Sequence, residues 1–260
     1  MKPNHLKKML KEGKYACGSW VSMCSPIGAE VMGLAGFDWL LIDMEHGAGD
    51  YQTLLGQIQG LAASGGDATP IVRVQENDPV VIKRVLDIGA YGVMVPGNKT
   101  VADAEQAVAA IKYPPEGIRG IAGNRVAKWG LDKDYVKQSN DEMMLFLQIE
   151  TGEAIENIEA ILDVPGIDVA FLGPNDLSAD MGYTGQWDHP EVVAAIKKLE
   201  DAANKRNIPL GTISRNWDAA KVLLDKNYKV VSIMSDVAHM LSSSQSAIAS
   251  FRAHPNVAGK

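Results

Sequence analysis

Asp43, Glu45 and His46 close the run Leu40-Leu41-Ile42-Asp43-Met44-Glu45-His46-Gly47, so two carboxylates and an imidazole follow directly on an apolar stretch. A short apolar run of this kind reads as a buried strand. Groups at the tip of a rigid strand are held as a catalyst needs them. Two further segments end alike: Met144-Leu145-Phe146-Leu147-Gln148-Ile149 runs into Glu150, and Val169-Ala170-Phe171-Leu172 runs into Gly173-Pro174-Asn175-Asp176. Three strands ending in carboxylates suggest one site assembled from strand ends. Glu150 and Asp176 end consecutive strands, and neighbouring strands lie ~4.8 Å apart. The two carboxylates can therefore share one divalent ion. With no Cys and no second His beside them, Mg²⁺, Mn²⁺ or Co²⁺ suits such oxygens. Asp176 could instead cap the helix that starts near it.

His46 is the one histidine expected at a strand end. Asp43, three residues earlier, could orient its ring and raise its basicity, which gives an acid–base pair. Glu45 reads better as a tie for the loop. Arg73 ends Ile71-Val72-Arg73 on the next strand, where a guanidinium could stabilise an oxyanion on the substrate. The alternative is a buried ion pair with Asp43 or Glu45. The turn Gly173-Pro174-Asn175-Asp176-Leu177-Ser178 opens a helix, and the amides of Asn175 and Asp176 could bind a substrate carboxylate. No expected strand ends in Lys, and Lys229 starts its strand at the wrong end of a barrel, so a Schiff-base mechanism finds no nucleophile. Seryl and cysteinyl nucleophile motifs are missing. The ends Thr212-Ile213-Ser214 and Met234-Ser235-Asp236 lack the glycine cluster of a sugar-phosphate site. The chemistry left is a metal, a base and an arginine acting on a small unphosphorylated acid.

Positioning these groups takes several strands, and the sequence supplies eight apolar runs: Ala16 to Val21, Trp39 to Asp43, Pro70 to Val74, Gly92 to Val95, Met144 to Ile149, Val169 to Leu172, Pro209 to Ile213 and Val230 to Met234. Helical patterns lie between most of them. They include Ala29 to Ala35, Pro79 to Ile88 with Asp78 as N-cap, Thr100 to Ile111, Glu153 to Leu162, Pro190 to Arg206 and Trp217 to Asp225. Eight alternating βα units predict a (β/α)8 TIM barrel with its site at the C-terminal strand ends. Leu6, Met9 and Leu10 read as one side of a short N-terminal helix. No linker or repeat divides the 260 residues, so a single domain over 1–260 is expected. The longest interruption, Tyr113 to Gly120 and on through Arg125 and Trp129, is Pro/Gly-rich and of a length that is often functional. The net charge of −7 gives no sign of nucleic-acid binding, and no apolar run is long enough to span a membrane. Cys17 and Cys24 read as free thiols, and the absence of a signal-peptide pattern predicts a cytoplasmic protein.

At this point the residues resemble a known family, the metal-dependent class II pyruvate aldolases of the 4-hydroxy-2-oxoheptanedioate aldolase and 2-dehydro-3-deoxyglucarate aldolase type (the HpcH/HpaI aldolase family). The likeness runs from about Gly18 to Asp236. It includes Gly36-Phe37-Asp38-Trp39 ahead of Asp43-Met44-Glu45-His46, then Arg73, Leu86-Asp87-Ile88-Gly89, and Tyr113-Pro114-Pro115 with Arg119-Gly120. Gln148-Ile149-Glu150-Thr151 and Gly173-Pro174-Asn175-Asp176-Leu177-Ser178 complete it. The resemblance implies that Glu150 and Asp176 bind one divalent metal, which pyruvate chelates through its carboxylate and keto oxygens. His46 with Asp43 would be the acid–base dyad, acting through metal-bound water, and Arg73 would steady the enolate oxygen. Gln148, Trp20 and the turn Gly173 to Asp176 would line the substrate. It further implies a homotrimer or homohexamer with a C-terminal helix exchanged between subunits, and Asp87 approaching a neighbour's site. The activity implied is reversible cleavage of a 4-hydroxy-2-oxo acid to pyruvate and an aldehyde. Two departures border the aldehyde pocket: Pro96 is followed by Gly97-Asn98 rather than bulkier apolar residues, and the loop from Ile121 to Lys133 is short. A malyl-CoA or citramalyl-CoA type lyase on the same barrel would need a basic groove for nucleotide phosphates, for which Arg119, Arg125 and Lys128 are a thin substitute. A non-catalytic barrel would not need the set Asp43, His46, Arg73, Glu150 and Asp176.

Overall fold

Eight parallel strands pair in sequence order and close into a barrel in the computed structural model, which describes residues 1–258. They are β1 (Ala16–Val21), β2 (Trp39–Asp43), β3 (Thr69–Arg73), β4 (Gly92–Val95), β5 (Met144–Ile149), β6 (Val169–Leu172), β7 (Leu210–Ser214) and β8 (Val230–Ser235). Five have the bounds expected from the apolar runs. β3 begins and ends one residue earlier, β7 one later, and β8 runs one residue further. The expected (β/α)8 TIM barrel is thus the observed fold.

Side chains alternate in and out along each strand, and this alternation builds both the core and the site. The inward phase carries Trp39 and Leu41 on β2, Phe146 on β5 and Phe171 on β6, all buried in one cluster inside the barrel. Trp39 lies 5.5 Å from Phe146 and 6.3 Å from Phe171, centroid to centroid. Glycine on β1 makes room for them: a Cβ on Gly18 would stand 2.2 Å from the Trp39 indole. The outward phase packs under the helices as a second, larger cluster that includes Leu40, Ile42, Val72, Val93, Leu145 and Leu147. The short helix His5–Lys11 closes the N-terminal end of the barrel. Its Leu6 is fully buried, and Met9 and Leu10 pack on the same inner cluster.

The helix Pro79–Ile88 has its expected bounds, with the Asp78 carboxylate accepting from the amides of Val80 and Val81. Thr100 and Asp103 form a reciprocal capping box at the head of Val101–Ile111. The helix expected over Glu153 to Leu162 is broken into Gly152–Glu156 and Ile158–Leu162 at Asn157, whose side-chain amide donates to the Lys99 carbonyl. Tyr51–Ala63 and Tyr135–Glu142 are further helices that the apolar pattern does not reveal. The long interruption follows the helix Val101–Ile111 rather than a strand, so it lies at the N-terminal end of the barrel. Arg119 anchors it, buried, stacked 4.5 Å from the Tyr113 centroid and paired with Asp87 at 2.8 Å. Cys17 and Cys24 are free thiols.

Candidate active site

The inward phase continues past the aromatic floor to the C-terminal mouth. Two residues above Leu41 stands Asp43, above Ile71 stands Arg73, and above Phe146 stand Gln148 and then Glu150. Gly173 follows Phe171, and Trp20 follows Gly18. The same alternation that buries the core therefore turns these groups into one cup. Ladder register aligns Asp43 with Arg73, and β5–β6 pairing of Ile149 with Leu172 puts Glu150 beside Gly173.

Arg73 and Asp43 form a buried bidentate pair, Nε to Oδ1 at 2.9 Å and Nη2 to Oδ2 at 2.7 Å. Arg73 Nη1 also lies 2.8 Å from Glu45 Oε2. That approach is an ion pair without hydrogen-bond geometry, so Glu45 Oε2 has no donor. A guanidinium has five N–H groups, and Asp43 and Glu45 face only three of them. Trp20 stacks under Arg73, with the guanidinium carbon 4.3 Å from its ring. The sequence left Arg73 between an oxyanion partner and an ion pair; the ion pair forms, and spare N–H groups remain for a substrate.

Asp43 meets His46 through the backbone. Its Oδ1 accepts from the amides of Glu45 at 3.1 Å and His46 at 3.3 Å. The His46 ring is exposed at the mouth, and among the described residues no hydrogen bond joins it to Asp43. The ring-to-carboxylate contact expected of a dyad is replaced here by a carboxylate that shapes the loop, with both its oxygens engaged by Arg73.

Glu150 is buried, and both its oxygens are engaged. Oε1 accepts from the Gly97 amide at 2.7 Å, and Oε2 accepts from the Gln148 side-chain amide. Burial pushes its carboxyl above the usual range, the Gly97 amide opposes this, and the charges of Glu45 and Asp176 push further in the same direction. Glu45 is raised by burial too; Arg73 and His46 oppose it, while Asp43 and Asp176 add to it. Gly173 has to be glycine for close approach, since a Cβ there would stand 2.9 Å from Glu150 Cβ and 3.1 Å from Gln148 Nε2. Pro174 and Asn175 open the helix Pro174–Asp180, and exposed Asp176 sits in its first turn without capping it. The capping alternative for Asp176 is thus not realised.

Gly97, unusual by sequence, contacts the cup through its backbone. At φ +70 its backbone bends back to aim its amide at Glu150, and Asn98, fully buried, ties the turn by donating to the Val95 carbonyl. A Gly-Asn pair directly after a strand was the available signal for such a turn. Asp87 lies in the last turn of its helix, at the opposite end of the barrel, bonded to Arg119 and Asn124; it is not part of this chain's own cup. A 600 Å³ cavity lined by Lys2, His5, Leu61, Gly89, Tyr91 and Arg125 also lies at that opposite end and holds none of the clustered groups.

The donor set suits a hard divalent cation. Asp43, Glu45, Glu150 and Asp176 set four carboxylates against the single guanidinium of Arg73, and two of them have raised proton affinity. Gln148 Oε1 and Glu45 Oε2 are buried acceptors without donors, and Trp20 Nε1 is a buried donor without an acceptor. Among the described residues no group of three or more His, Cys, Asp or Glu side chains is arranged to hold an ion. An ion here would rest on two protein carboxylates and draw its remaining oxygens from substrate and water, a common arrangement for Mg²⁺.

The family description "HpcH/HpaI aldolase/citrate lyase" matches residues 16–243. The chain belongs to this family. A 4-hydroxy-2-oxo-heptane-1,7-dioate aldolase of Salmonella dublin is 40% identical over 258 residues, spanning 98% of this chain and 97% of that protein. A 5-keto-4-deoxy-D-glucarate aldolase of Shigella boydii is 38% identical over 251 residues, spanning 96% and 97%. The crystal structure of an HpcH/HpaI aldolase/citrate lyase family protein from Burkholderia cenocepacia superposes with a TM-score of 0.93 at 33% identity, covering 96% of this chain and 100% of that one. This HpcH/HpaI family member is an aldolase, a carbon–carbon lyase, and the likeness favours that reading over the CoA-thioester lyase.

Proposed function

We propose that the chain is a divalent-metal-dependent pyruvate aldolase that reversibly cleaves a 4-hydroxy-2-oxo acid to pyruvate and an aldehyde. The observation that carries this reading is buried Glu150, gathered at one barrel mouth with Asp43, Glu45 and Asp176, four carboxylates whose charges repel. A cation relieves that repulsion. Glu150 and Asp176 would hold the ion, Mg²⁺, Mn²⁺ or Co²⁺, which would supply Lewis-acid charge to the substrate. The turn Gly173 to Asp176 seats the substrate carboxylate, with Gln148 and Trp20 along its sides. Arg73 donates its spare N–H groups to the enolate oxygen as charge develops there. His46 moves the proton, and Asp43 fixes the loop that carries it. The substrates are small molecules, and the setting is the cytoplasm. Among the described residues no helix is long and apolar enough to cross a membrane. The test is steady-state aldol addition of pyruvate to a panel of aldehydes. Formation of 4-hydroxy-2-oxo acids is expected, and no product with any aldehyde would overturn the proposal.

Arg73→Lys is the informative variant at the oxyanion. Arg73→Ala would leave Asp43 buried and unpaired, which costs about 3–5 kcal/mol and confuses folding with catalysis. Lys keeps the charge and loses the fork. Turnover is expected to fall about tenfold, the worth of one charged hydrogen bond, with metal affinity changed less. Exchange of the pyruvate methyl protons with solvent should slow in step, because it forms the enolate without any aldehyde. Normal exchange with only the aldehyde KM raised would move Arg73 to the acceptor pocket.

The assembly we propose is a homotrimer or homohexamer in which the helix Asp236–Ala253 is exchanged and Asp87 reaches a neighbour's site. Val237, Met240, Leu241, Ile248 and Phe251 are exposed on that helix, and Asp236 is its one buried residue among those described. Exposed apolar surface on this scale marks an interface. Light scattering should give the mass of three or six chains, and a monomer at micromolar concentration would refute the assembly.

A further inference from the structure

The inward phase that builds the cup has one more member. On β7 a Cβ on Gly211 would meet Phe171, and Ile213 packs on the inner cluster. Arg215, the first residue past the strand, keeps that phase, as Glu150 does past β5. Pairing of Leu172 with Thr212 sets Ile213 beside Gly173, so Arg215 stands one inward step beyond the ring of Glu150, Gly173 and Ile213. Two residues of a tilted strand make that step roughly 5–7 Å. Arg215 is exposed and pairs with no carboxylate among the described residues, although the mouth below it is rich in them.

Its position is fixed by stacking. The Arg215 guanidinium carbon lies 4.2 Å from the ring of Trp187, in the loop that follows the helix Pro174–Asp180. The indole Nε1 of Trp187 is buried without an acceptor. A guanidinium set over an indole still has N–H groups to donate, and its fork matches a carboxylate bidentately. The charge is therefore offered to a ligand rather than spent within the chain.

We infer that Arg215, braced by Trp187, binds the carboxylate at the far end of an acidic acceptor aldehyde. This inference rests on the aldolase reading and adds to it a residue that selects the acceptor. The aldehyde carbon lies at the level of Glu150, Ile213 supports the intervening methylenes, and the distal carboxylate meets Arg215. A short aldehydic acid of about four carbons fits that one-step separation.

The test compares aldol addition of pyruvate to succinic semialdehyde and to butanal, a neutral aldehyde of the same length. The wild-type enzyme should prefer the acid. In Arg215→Gln the ratio of kcat/KM for acid over neutral aldehyde should fall about 10- to 100-fold, chiefly through KM. Arg215→Lys should keep part of the preference, and Trp187→Leu should lower the ratio less than Arg215→Gln does. An equal loss for both aldehydes, or no loss, would overturn the assignment. So would a wild-type enzyme that exchanges pyruvate methyl protons yet shows no preference for the acid, an outcome that leaves the aldolase reading standing. Absence of both exchange and addition counts against both.

Discussion

Excess chelator is expected to abolish aldol cleavage, and Mg²⁺, Mn²⁺ or Co²⁺ to restore it, because the barrel mouth gathers more carboxylates than Arg73 alone can balance. Glu150→Gln should remove activity permanently, at any metal concentration. The same substitution should raise the melting temperature of the metal-free protein. A carboxyl whose folded-state proton affinity is raised loses stability as pH rises through that raised value, so at neutral pH Glu150 burdens the folded state. Gln relieves the burden, and Gln148, whose Oε1 is a buried acceptor without a donor, can turn over to receive the new amide. Lower activity with higher stability in one variant is hard to explain by misfolding. Full activity in excess chelator would sink the metal assignment. Borohydride trapping of pyruvate on the protein would do the same, since it reports a Schiff base.

The barrel was legible because its strands are short unbroken apolar runs, and parallel strands buried on both faces need nothing else. The helix Tyr51–Ala63 was not, since Gly56, Gly60 and three glutamines blur its 3.6-residue period. At the site, the ends of those apolar runs placed Asp43, Arg73 and Glu150 together from sequence alone. The choice between roles for Arg73 was invisible there. It depends on whether the Asp43 carboxylate faces the guanidinium or the imidazole, a matter of side-chain direction across two strands. Gly97 was flagged as a departure, yet its use lies in a backbone amide, and backbone direction leaves little trace in residue type. Arg215 went unread because its partner Trp187 is distant in sequence and meets it only once β6 and β7 pair.

His46→Ala should lose at least roughly 100-fold in turnover, the contribution of a positioned acid–base group, while still binding metal and pyruvate. The variant is clean because the imidazole is exposed and shares no hydrogen bond with the buried Asp43–Arg73 pair. Only the His46 amide contacts Asp43, and alanine keeps that amide. Asp43→Asn is a coarser probe: it takes the bidentate charged partner from Arg73, leaving only Glu45, and loosens the loop at once, so both its stability and its rate should fall. Comparing the two separates proton transfer from scaffolding. If His46 carries the proton, His46→Ala slows turnover at an unaltered melting temperature, whereas Asp43→Asn lowers both. Near-normal turnover in His46→Ala would hand the proton to another group. The candidate in this chain would then be Glu45, whose Oε2 is buried without a donor and whose carboxyl is already raised by burial.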